Sequence, residues 1–163
     1  MKKIIIVITV LSVAIVVGVA IWPRQTNVDS VMYDFHRAED RAEDMLMDPL
    51  ILNAALVKNR VIQDIKNPEM DKRRYAIGCL GNERIVEAIP VLLNILNDES
   101  EKDYFRGDAL ESIFQIGEAH ARQLAEKHSS REDYLGMIAK GLLGGSYKPY
   151  KRTKVEALIG RHD

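Results

Sequence analysis

Apolar positions in this chain fall first in one unbroken run and then in a series of short segments with helical spacing. The run, Ile4 to Trp22, follows Lys2 and Lys3 and is interrupted only by the mildly polar or small Thr9, Ser12 and Gly18. After a polar linker, Gln25 to Asp29, the segment Ser30 to Met47 carries Val31, Met32, Phe35, Ala38, Ala42, Met45 and Leu46 on a helical stripe. Ser30 or Asp29 is its expected N-cap, and Asp48-Pro49 breaks it. Pro49 suits the first turn of a second helix through Leu52, Leu56, Val61, Ile62 and Ile65 to Asn67. Apolar residues lie around much of its circumference, which predicts burial between neighbours. Asp71 is placed to cap a third helix bearing Arg73, Ala76, Ile77 and Leu80, with a turn at Gly81-Asn82.

A partner helix then covers about Val86 to Asn97, with Pro90 in or near its first turn and Ala88, Ile89, Leu92, Leu93, Ile95 and Leu96 inward. Beyond the charged loop Asp98 to Asp103, Tyr104 to Gly117 turns Arg106, Ala109, Leu110, Ile113 and Ile116 to the same side. Its partner, Glu118 to Lys127, is weaker, with only Ala119, Ala121, Leu124 and Ala125 apolar. A last clear helix opens at Ser129-Ser130, passes through Tyr134, Leu135, Ile138 and Leu142, and ends at Gly144-Gly145. Ser146 to Asp163 is a tail with one turn of helix expected around Val155 to Ile159.

The stretch Arg73 to Asp98 repeats. Arg106 and Ala109 stand 33 residues after Arg73 and Ala76, and Ile113 answers Leu80 in the same register. Self-similarity at that period, in units of two short amphipathic helices, is the signature of an α-solenoid. The unit resembles a HEAT repeat of the short bacterial kind also seen in the phycobilin-lyase-like branch. Arg73, Ala76, Leu80, Gly81, Ala88, Pro90, Leu92, Leu96 and Asp98 carry that resemblance, continued by Arg106, Ala109, Ile113, Ile116 and Gly117. It covers residues 71–128, and the pair at 30–67 by analogy as an N-terminal cap. The resemblance implies an all-α fold, a short right-handed α-solenoid of antiparallel helix pairs. It also implies a structural Asp98–Arg106 pair, with Ala76 and Ala109 allowing close helix approach. Gly78 is a further candidate for such an approach.

The N-terminal run changes where this domain is expected to sit. Its 19 residues span about 28 Å as a helix, close to the thickness of a bilayer core. Lys2 and Lys3 ahead of it place the N-terminus in the cytoplasm, and Trp22 would lie at the headgroup level. Gly18-Val-Ala20 is a tolerable cleavage site, so a signal peptide and a soluble periplasmic or secreted product are the alternative. The expected division is an anchor or signal peptide at 1–24, a helical domain at 25–145 and a basic tail at 146–163.

Composition and charge narrow the chemistry. Residues 24–163 carry 21 basic and 24 acidic side chains, which gives no electrostatic case for nucleic acid. With Cys79 as the single cysteine, no intrachain disulfide can form. No GxSxG, HExxH, P-loop or CxxC pattern occurs, so no catalytic, cofactor-binding or metal-ligating residue is assigned. His36 with Glu39, Asp40 and Glu43 reads as a solvated acidic face in preference to a metal site. His120 and His128 read as surface histidines, and Cys79 as a buried thiol.

Two charged segments stand out as partner-binding candidates. The first is the acidic stretch 29–48, net −5, with Glu39, Asp40, Glu43 and Asp44. The second is the tail, net +3, with Lys148, Tyr150, Lys151 and Arg152. The tail suits an acidic partner or lipid headgroups, and it could equally dock on the chain's own acidic segment. The expected function is a membrane-tethered, extracytoplasmic scaffold or adaptor that binds another protein without catalysis. A small envelope enzyme or lyase-like module with a site formed across helices is the rival reading.

Overall fold

The computed structural model describes residues 26–38, 42–117, 119–148 and 151–159. Every regular element among them is helical: α1 (Val28–Arg37), α2 (Asp48–Leu52), α3 (Ala54–Asp64), α4 (Arg73–Asn82), α5 (Ile89–Asn97), α6 (Asp103–Ile116), α7 (Ala121–His128), α8 (Tyr134–Gly144) and α9 (Lys154–Ile159). Short 3-10 turns occupy Glu43–Met45 and Val86–Ala88. The expected anchor, residues 4–22, lies outside the described residues. Among those described, no helix is long and apolar enough to cross a membrane.

The helices α4 to α8 follow the apolar periodicity closely, because each has one stripe that packs against its neighbours. α4 packs on α6, α6 on α8, and these three form a row against which α5 and α7 pack. Ala76 and Ala109, Ile77 and Leu110, and Leu80 and Ile113 are all buried at equivalent places of α4 and α6. Gly81 does not make the expected turn. It stays helical, and a Cβ built on it would lie 2.6 Å from Ser112 Cα. Ser112 Oγ donates to the Ile77 carbonyl at 3.0 Å across the same contact. Gly78, the other candidate for close approach, has nothing within 4 Å of its Cβ position.

Besides the Gly81 turn, five boundaries differ from the sequence expectation: α8 opens at Tyr134 behind Asp133, whose Oδ1 accepts from Gly136 N, and not at Ser129-Ser130, and four others lie near the start of the domain. α1 is capped by Asn27, not by Ser30 or Asp29: Asn27 Oδ1 accepts from Ser30 N at 2.9 Å, and Ser30 Oγ accepts from Asn27 N at 3.1 Å. It ends at Arg37 and does not run on to Met47. Lys72 Nζ donates to the Phe35 and His36 carbonyls at 3.1 and 2.7 Å, satisfying C-terminal acceptors that a longer helix would have used. The segment after Pro49 is two helices, broken at Asn53, whose Nδ2 donates to the Pro49 carbonyl at 2.9 Å. Leu52 and Leu56 face outward there, so this segment is not buried all round. Asp71 caps nothing, because Lys72 occupies the N-cap of α4 in left-handed backbone, φ 55°.

The repeat arginines are buried, but not as an Asp98–Arg106 pair. Arg73 Nε donates to the Ile65 carbonyl at 2.8 Å and Arg106 Nε to the Leu96 carbonyl at 2.9 Å. Asp98 instead accepts from Ser100 N and Oγ within its own loop. Its carboxyl titrates below the usual range chiefly through the Ser100 hydroxyl, with Arg106 and Arg73 acting only at long range.

Candidate functional site: a tyrosine-rich face

The row α4, α6, α8 carries a continuous band of tyrosines around one arginine. Arg74 leaves α4 and reaches the next two helices. Its Nε donates to Asp108 Oδ2 at 2.7 Å and its Nη2 to Asp108 Oδ1 at 3.0 Å. Nη2 also donates to the Tyr134 hydroxyl at 3.1 Å. The guanidinium carbon lies 5.6 Å from the Tyr104 ring centre and 5.4 Å from that of Tyr134. Tyr134 is placed by its own backbone, where its N–H donates to Asp103 Oδ2 at 2.9 Å. Gly107 makes room for its ring, since a Cβ there would meet Tyr134 Cδ1 at 2.6 Å.

The band extends in both directions from Arg74. On one side the Tyr75 hydroxyl donates to Glu43 Oε1 at 3.0 Å. On the other, Tyr147 donates to Glu111 Oε2 at 2.5 Å, and Gln115 donates to Glu111 Oε1 at 3.1 Å. Two depressions mark the surface between these groups. One, of about 440 Å³, is lined by Met70, Arg74, Tyr75, Tyr104, Phe105 and Tyr134. The other, about 110 Å³, takes in Glu43, Met47, Arg74, Tyr75, Asp108 and Glu111.

Burial favours the neutral form of the acidic groups on this face. Burial, with Asp108 beside it, pushes the Tyr134 phenol up to about 12. Burial likewise raises Tyr147, assisted by the Glu111 carboxylate, and raises Tyr75, assisted by Glu43. Burial also lifts the Glu111 carboxyl above its ordinary value, against the opposing hydrogen bond from Tyr147. Tyr75, Tyr134 and Tyr147 are therefore neutral donors, each to a carboxyl group: Glu43, Asp108 and Glu111. Such a surface offers flat aromatic faces and preset polar groups, which is a chemistry of recognition.

The sequence-predicted candidates are not gathered in one place. Glu43 joins this face through Tyr75. Glu39, Asp40 and Tyr150 lie outside the described residues, as does the side chain of Asp44. Lys148 and Lys151 are exposed. Arg152 is not part of an exposed basic tail: 1% exposed, it donates from Nε to Asp48 Oδ1 at 2.6 Å and from Nη2 to Asp48 Oδ2 at 2.8 Å. The tail thus docks on the chain's own acidic segment at this residue.

His128, expected at the surface, is 6% exposed, whereas His120 is exposed and His36 half-buried against Phe35. Cys79 is buried, and burial pushes its thiol up. Among the described residues no three His, Cys, Asp or Glu side chains are grouped to hold a metal ion. Arg74, Tyr75, Tyr104, Asp108 and Tyr134 were not singled out by sequence as site residues, and Tyr147 stood out only as an aromatic of the basic tail. A signal was present, since Tyr75, Tyr104 and Tyr134 recur at intervals of 29 and 30 residues, near the repeat length. Comparisons with protein-family models, curated proteins and solved structures find no match for this chain.

Proposed function

We propose that this chain is a membrane-tethered, HEAT-like adaptor whose tyrosine-rich face on α4, α6 and α8 binds another protein, without catalysis of its own. The carrying observation is the band built around Arg74. Tyrosine and arginine are the residue types that dominate binding energy when placed centrally in an interface. Here Arg74, Tyr75, Tyr104 and Tyr134 stand on helices and are already held by hydrogen bonds or ring contacts, so little side-chain entropy remains to be lost on binding. Three supports come from elsewhere in the chain: the repeat of Arg73 and Arg106, the side-by-side row of first helices, and the uncharged run Ile4 to Trp22 behind Lys2 and Lys3. That run supports an anchor with the domain outside the cytoplasm.

Cross-linking in native membranes followed by affinity purification tests the reading. Tyr104→Ala and Tyr75→Ala each remove an aromatic face at the centre of the surface and should weaken capture of the partner by about 2 kcal/mol, roughly thirtyfold. Arg122→Ala, at an exposed position of α7 away from this row, should leave capture unchanged. Undiminished capture by the Tyr75→Ala/Tyr104→Ala double variant, folded by circular dichroism, would remove this face from the proposal.

A further inference from the structure

Helix α9 holds its apolar side toward solvent. Val155, Leu158 and Ile159 are 65%, 72% and 65% exposed, and their spacing puts them on one helical face. The other side turns Ala157 onto α2, and the Arg152–Asp48 pair pins the preceding residues there. A helix fixed so firmly, with its apolar face unused by the rest of the described chain, is placed to meet something else. Tyr33 of α1 and Leu52 of α2, themselves exposed, line a groove of about 670 Å³ together with Ala157.

The same groove takes in Thr26 and Asn27, where the domain begins. Only Pro23, Arg24 and Gln25 separate Thr26 from Trp22, the last residue of the uncharged run. Four residue steps of extended chain reach at most about 14 Å. The corner formed by the start of α1 and by α9 is therefore the part of the domain tied closest to any bilayer the run crosses. Lys148, Lys151 and Lys154 are exposed around α9, the last 3.8 Å from Glu83. Asp29 and Asp34 are exposed on α1 at the same corner, so the apolar trio, not net charge, selects the occupant.

We propose that α9 lies on the bilayer surface, with Val155, Leu158 and Ile159 among the headgroups and upper acyl chains and with Lys151 and Lys154 toward anionic headgroups. This rests on the tether reading given under Proposed function. Six residues are too few to hold a free protein on a membrane. Tethering makes the contact intramolecular, so a weak contact suffices at the high effective concentration a short linker imposes. Two attachments instead of one stop the domain from tumbling about its linker and fix the direction in which the tyrosine-rich face points.

The test places a nitroxide at Leu158→Cys, and separately at Gln123→Cys on α7, in the full chain reconstituted into phosphatidylcholine–phosphatidylglycerol vesicles. Cys79 is buried, and the unsubstituted chain checks that it takes no label. The expected result is an oxygen-to-nickel-chelate collision ratio several-fold higher at 158 than at 123, and the same at Val155→Cys. Equal aqueous ratios in protein that still floats with the vesicles overturn the contact and leave the tether standing. Failure to float, with residues 4–22 present by intact mass, overturns both. Label–label broadening at 158 that grows with protein density assigns the face to a second copy and also overturns the proposal.

Discussion

Arg73 and Arg106 do the same work at equivalent places. Each is buried, and each Nε closes a main-chain carbonyl near the end of the preceding helix, Ile65 for one and Leu96 for the other. Arg73 also meets Glu101 Oε2 at 2.6 Å and stacks 4.7 Å over the Phe105 ring centre, so its charge is compensated where water is excluded. His128 is a buried cation-forming group of the opposite kind. Burial pushes its pKa below the ordinary value, Lys127, Arg106 and Arg131 act the same way, and Asp133 opposes them. The folded chain therefore binds a proton at this site less readily than the unfolded chain. Stability from the neutral imidazole is fully present above the unfolded pKa, about 6.5, and is lost as pH falls from there through the lower folded pKa. Denaturant midpoints between about pH 7 and pH 5 should fall more steeply for the native chain than for His128→Gln. Equal slopes would mean that His128 is solvated in the folded state.

At the scale of the element, the contact between α4 and α6 is set by which glycine faces it. Gly81→Ala drives a Cβ into Ser112 backbone and should cost about 1–3 kcal/mol in urea unfolding. Gly78→Ala meets open space inside the same helix and should stabilise by about 0.5–1 kcal/mol. Reversal of these signs would show that the helix is rotated from its placement here. The phase of α4 was legible in the sequence because Ala76, Ile77 and Leu80 define one buried stripe, and α5, α6 and α8 were legible for the same reason. Helix ends were less so. The end of α1 depends on Lys72, far along the chain, and the break at Asn53 on a side chain outcompeting the backbone, and neither leaves a trace in periodicity. The tyrosine-rich face was the least legible part. It exists only because Arg74, Asp108 and Tyr134, each ordinary on its own helix, become neighbours when three helices pack in a row.

The described chain is closed by a pair that joins the acidic segment to the basic tail, one of the two arrangements that charge counting leaves open. Asp48 and Arg152 are 104 residues apart, and their side chains are 2% and 1% exposed. Asn82 Nδ2 donates to the Arg152 carbonyl at 2.9 Å, so the C-terminal segment is fastened to α4 as well as to α2. A buried charge pair is costly to desolvate, and its value lies in what happens when one member is missing. Arg152→Met leaves a carboxylate enclosed without its partner and should destabilise by about 3–5 kcal/mol, as should Asp48→Leu. The double variant replaces both charges with apolar groups and should recover most of that loss, because neither residue is then buried alone. Urea unfolding of the four proteins gives the coupling directly. Additive losses would mean that the pair is solvated and that the C-terminal segment is loosely held. Strong coupling would make Arg152 the fastening that keeps α9 in place, so Arg152→Met should also raise the rate of proteolysis at Lys151 and Lys154 before global unfolding begins. That order of events separates a clasp between α2 and the C-terminal segment from a charge pair that only stabilises the core.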